Sequence, residues 1–158
     1  MSFAVELKGK QLEIKFNYGM LFKANKKLGT KDAQGNSQND GAGVLFVKVL
    51  EEDDDALFDI IKLASKDKVT DEDIAKSVQD FVETFEDEEE GYSMVFETLK
   101  QEMLDSGFFV KKLKKYINNL EKAADYLKSQ QPTEEIQNPE QQAKAVKDLA
   151  DRIKKEIS

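Results

Sequence analysis

Outside two loop regions, the apolar residues of this 158-residue chain recur every three or four positions from Tyr18 to the C-terminus; only ahead of Tyr18 do they alternate. A spacing near 3.6 buries one face of a helix, and a spacing of two buries one face of a strand. The fold class expected is therefore mainly α, of α+β type, with a single β element at its start. Phe3, Val5 and Leu7 alternate with polar neighbours, and so do Leu12, Ile14 and Phe16. Lys8-Gly9-Lys10-Gln11 supplies a turn between them, with Gly9 free to adopt positive φ. A two-stranded hairpin is marginal alone, so its apolar face must rest on helices.

The first helix is expected over Tyr18 to Leu28, with Tyr18, Leu21, Phe22, Ala24 and Leu28 on one face and Gly29 as its stop. Residues 30–43, rich in Gly, Asn and Asp, read as a long mobile loop. The apolar run 44–50 reads as a buried helix, and Asp53 to Asp55 start another that buries Leu57, Phe58, Ile60, Ile61 and Leu63. Thr70 and Asp73 resemble a capping box ahead of Ile74, Val78, Phe81, Val82 and Phe85. A further helix buries Tyr92, Val95, Phe96, Leu99 and Met103. Phe109, Leu113, Tyr116, Leu120, Ala123 and Leu127 then form a heptad seam. Both prolines fall in 130–140, a linker, and Ala143, Val146, Ala150, Ile153 and Ile157 mark a separate C-terminal helix. The expected organisation is a hairpin on a bundle of about five helices in residues 1–129, a linker over 130–140, and a tail helix over 141–158.

Leu, Ile, Val and Phe make up 42 residues, enough for a packed core. The chain has no Cys and no His. That removes disulfides, thiolate metal sites, thiol nucleophiles and the commonest general base, so neither catalysis nor a cofactor is expected. Net charge is −8, unevenly spread: residues 51–105 carry twenty acidic and five basic side chains, whereas 1–50 and 106–130 are each net +4. The acidic middle would repel a phosphate backbone, so no nucleic-acid partner is expected. No apolar run approaches the roughly 18 residues of a membrane span, and no export signal is visible, so no membrane is expected and the cytoplasm is the expected compartment. Glu86, Glu88, Glu90, Gly91 and Glu97 reproduce the ligand spacing of a calcium-binding EF-hand, although Glu is long for the first position.

The segment ELKGKQLEIKFNYGMLFKANKKLG resembles the opening of the tail assembly chaperones of long-tailed, siphovirus-type phages and prophages of Gram-positive bacteria. DGAGVLFVKVLEEDDDALFDIIKLAS and LKQEMLDSGFFVKKLKKYINNLEKA are similar to later parts of that family, and the resemblance spans about residues 3–125. It implies a non-enzymatic assembly factor of the host cytoplasm that binds the tape-measure protein, helps recruit tail-tube protein and is not expected in the mature virion. Partner-binding candidates are then Phe108, Phe109, Leu113, Tyr116 and Leu120 on the heptad seam, and Val146, Ala150, Ile153 and Ile157 on the tail. The alternation of charge also suggests a homo-oligomer. Two alternatives remain at this stage: an acidic decoy for a basic partner, and a calcium-responsive helical module.

Overall fold

A computed structural model describes residues 3–158, and its described elements are one antiparallel hairpin followed by seven helices. Strands β1 (Phe3–Leu7) and β2 (Lys10–Ile14) pair with Phe3 opposite Ile14 and Val5 opposite Leu12. The turn is tighter than the four residues expected. Lys8 and Gly9 both have positive φ, 53° and 77°, which suits the two-residue turn that matches strand twist, and Lys10 and Gln11 join the ladder. Phe3, Val5, Leu7 and Ile14 are buried. The ring of Phe3 meets that of Phe81 edge-on at 5.1 Å, so the hairpin rests its apolar face on a helix as its marginal stability requires.

The helices are α1 (Tyr18–Leu28), α2 (Gly41–Leu50), α3 (Asp54–Ala64), α4 (Asp71–Val82), α5 (Glu88–Leu104), α6 (Gly107–Lys128) and α7 (Pro139–Ile157). Each early start has a chemical cause. Asn17, Asp53 and Asp87 cap α1, α3 and α5 through their side-chain oxygens. Thr70 and Asp73 form the reciprocal capping box of α4, and the bonds from Thr70 hold the Asp73 carboxyl below its ordinary range. The apolar run 44–50 is helical, and its helix begins earlier, at Gly41. A Cβ at Gly41 would stand 2.0 Å from the Ala24 carbonyl oxygen, so glycine is what lets α2 start hard against α1.

Residues 29–40 are laced together. Asp32 accepts from the backbone N–H groups of Gln34 and Asn36, Asp40 accepts from the N–H and hydroxyl of Thr30, and the Ser37 hydroxyl donates to the Asn25 carbonyl. Here short polar side chains replace the missing secondary structure.

The calcium reading does not survive. Asp87 caps α5, so Glu88, Glu90, Gly91 and Glu97 lie on a continuous helix and cannot wrap an ion as a loop. Gly91 serves packing instead: a Cβ there would lie 2.8 Å from the Val82 carbonyl oxygen. Among the described residues no group of three acidic side chains is arranged to hold a metal.

The chain divides into two compact units, the first ending at Phe109 and the second running from Val110 to Ser158. The linker read at 130–140 coincides with the connection between α6 and α7 rather than with that division. In the first unit the core is centred on Ile14, Leu45, Phe46, Ile60, Ile74, Leu99 and Met103. A void of about 10 Å³ there is lined by apolar side chains alone and offers a water no partner. In the second unit Glu121 accepts from Lys147 and Lys154 at 3.2 and 3.4 Å, which sets α7 alongside α6. Leu113, Ile117, Ala124, Ala143, Ala150 and Ile153 are buried.

Candidate partner-binding site

The most exposed large apolar side chains of the first unit are Tyr18, Phe22 and Phe108, at 61%, 53% and 52%. They are held outward by a clamp built from their neighbours in sequence. Phe16 is buried and meets Phe109 edge-on at 5.2 Å. The Ser106 hydroxyl donates to the Phe16 carbonyl at 2.6 Å and accepts from the Phe109 N–H at 3.4 Å, the geometry of a helix N-cap. Asn17 caps α1 one residue later. The starts of α1 and α6 are thereby pinned together, and Tyr18, after Asn17, and Phe108, before Phe109, turn outward. Their rings form a T-shaped pair at 5.7 Å. Phe22 stands one helical turn beyond Tyr18, with the Lys26 ammonium 5.6 Å from its ring centre.

Beside this aromatic patch lies an open groove of about 460 Å³ lined by Ile14, Phe16, Asn17, Glu102, Ser106 and Phe108. An aromatic patch beside a groove with a polar rim is the composition of a protein-binding surface.

Of the residues singled out by sequence, Phe108 is exposed and belongs to this patch. Phe109, Leu113, Ala150 and Ile153 are buried, while Tyr116, Leu120, Val146 and Ile157 are half-buried. Sequence reasoning missed Tyr18 and Phe22, which it assigned to the core face of α1. That helix buries Leu21 and Ala24 as expected, with Met20 beside them in place of Tyr18 and Phe22. The signal was present: Met20, Leu21, Ala24 and Leu28 make a complete stripe of their own, which leaves Tyr18 and Phe22 as a surplus pair four residues apart.

A second groove, of about 450 Å³, lies between α3, α4 and α5, floored by Leu57, Phe58, Val78 and Val82. Asp54, Glu88 and Glu89 also line it, as does Tyr92, which donates its hydroxyl to Asp54. That bond, with partial burial and then the nearby carboxylates, pushes the Tyr92 phenol up from 10.0 to about 12.

The model of the family described as phage tail assembly chaperone protein, TAC, matches residues 4–118. The chain belongs to this family. The match takes in the hairpin, α1 to α5 and the first half of α6, so the aromatic clamp lies wholly within it. Residues 119–158, with all of α7, lie beyond. Neither a curated protein nor a solved structure matches the chain. Membership makes the protein a helper of phage tail assembly, and an acidic decoy is no longer the reading to prefer. Among the described residues no helix of this chaperone is long and apolar enough to cross a membrane.

Proposed function

We propose that this chaperone binds the tape-measure protein without catalysis, keeps it soluble in the bacterial cytoplasm while tail-tube protein assembles around it, and is absent from the finished virion. The observation that carries this reading is the patch of Tyr18, Phe22 and Phe108, three aromatic rings held outward by a buried clamp inside the family-matched region. Aromatic side chains give large contact area at small cost in conformational entropy, and they dominate interface energetics. Tyr116, Leu120, Val146 and Ile157 are proposed as secondary contacts, and salt-sensitive self-association through opposite charges belongs to the same reading.

The test is co-expression of the full chain with the tape-measure protein encoded beside it, followed by capture of the complex. Phe22→Ser with Phe108→Ser should weaken capture at least ~10-fold, while unfolding shifts only slightly because exposed positions typically change stability by about 0.5 kcal/mol. Capture equal to wild type by a folded double variant would remove the patch from the interface. No capture by the wild type would remove the tape-measure protein as partner.

A further inference from the structure

The groove between α3, α4 and α5 combines apolar lining with the carboxylates Asp54, Glu88 and Glu89, which sit in the first turns of α3 and α5, where the helix dipole offsets part of their charge. Asp53 and Asp87 make the caps of α3 and α5. Asp54 accepts from Tyr92, a neutral donor. Among the described residues no Lys or Arg forms an ion pair with Asp54, Glu88 or Glu89. Like charges gathered beside an apolar cleft raise one another's energy until a positive partner neutralises them.

From this charge complementarity we infer that the groove docks a lysine-rich amphipathic helix of another protein. The helix lays its apolar face on Leu57, Phe58, Val78 and Val82 and its lysines against Asp54, Glu88 and Glu89. This is helix-in-groove recognition with the charge supplied by the carboxylates. A second copy of this chain is a poor source for that helix. Its lysine-rich helices are α1, α6 and α7: on α6 and α7 the apolar residues Leu113, Ile117, Ala124, Ala143, Ala150 and Ile153 are already buried, and the eleven-residue α1 presents only Tyr18 and Phe22, one turn apart, to a neighbour. The inference is independent of the aromatic patch, which lies on other elements.

Ala75 is exposed and lines this groove, so it tests the inference without touching the core. The probe is a fluorescent peptide of about 18 residues, five helical turns, with leucines at i, i+3, i+4 and i+7 spacing and lysines elsewhere, titrated with the full chain. Saturable binding is expected. Ala75→Arg and Ala75→Glu should each weaken it more than ~10-fold, because both set a long side chain over the floor. The same peptide with glutamates in place of lysines should not bind. Attraction to acidic surface alone would instead split the two variants, weaker for Arg and stronger for Glu, and would overturn the inference. Absence of wild-type binding, or binding of the glutamate peptide, would overturn it too. So would a wild-type oligomer that Ala75→Glu dissolves, since the occupant would then be a second copy.

Discussion

Replacing Gly41 by Ala sets helix propensity against packing, and the structure gives the sign. Gly41 is the first residue of α2, so the gain from Ala is at most the roughly 1 kcal/mol of a helix interior, and propensity alone makes the substitution stabilising. At Gly41 the added Cβ would lie 2.0 Å from the Ala24 carbonyl oxygen, 2.4 Å from its carbon and 2.8 Å from the Asn25 Cα, where ordinary contact begins at 3.4 Å. All three are backbone atoms of α1, so no side-chain rotation relieves the overlap. The helices must part by roughly 1 Å, and a gap of that size forfeits a quarter to a half of the dispersion well of each contact it opens. The contacts at risk belong to Ala42, Leu45, Phe46 and Val49, all buried on α2. Overpacking of this kind costs about 1–3 kcal/mol, and the rigid neighbours place Gly41 at the top of that range. The net effect expected is a loss of about 2 kcal/mol. At roughly 2–4 °C per kcal/mol for a chain of this size, the thermal midpoint should fall by about 4–8 °C, followed by helical circular dichroism. Gly107→Ala is the control. A Cβ there meets nothing within 4 Å, so this variant should hold or raise the midpoint. A Gly41→Ala protein as stable as wild type would refute the reasoning.

Tyr92 should titrate well above the ordinary phenol range. Its pKa is raised on folding, so the bond to Asp54 contributes in full below pH 10.0 and is lost as pH climbs through about 12. Subtracting the tyrosinate absorbance curve of Tyr92→Phe from that of wild type should leave one component with its midpoint near 12; a midpoint at the ordinary 10.0 would contradict the hydrogen bond. Ile153 is fully buried, so Ile153→Ala should cost about 2–5 kcal/mol, read as faster amide hydrogen exchange along α7. Unchanged exchange would show that α7 owes nothing to that side chain.

The hairpin and the helices were legible because periodicity and end signals agreed: Asp53 and Thr70 each cap a helix that an apolar stripe also required. What failed was rotation about a helix axis. Tyr18 and Phe22 fit a core stripe on paper, but Met20, Leu21, Ala24 and Leu28 already complete one without them, and that is the stripe α1 packs. On α6 the heptad reading placed Tyr116 and Ala123 inward, whereas Ile117 and Ala124, one position on, are the buried pair. The EF-hand spacing misled for a different reason. Ligand spacing presumes a loop, and the cap at Asp87 turns that stretch into helix. The Tyr18 and Phe108 pair unites residues ninety positions apart, which no local pattern encodes.

The dependence of the hairpin on α4 has a consequence for the order of events during synthesis. Ribosomes add about 5–20 residues per second, so roughly 3–14 s separate the appearance of Ile14 from that of Val82. Throughout that interval Phe3 lacks the Phe81 ring it packs on, and only α3, through Leu57, Ile60 and Ile61, can cover part of the apolar face that a two-stranded ribbon needs covered to persist. The first structure of the nascent chain is therefore helical, the pair of α1 and α2 joined at Gly41, and the segment nearest the N-terminus is among the last to settle. A chain arrested after residue 70 should show protected amides in α1 and α2 before any appear in β1.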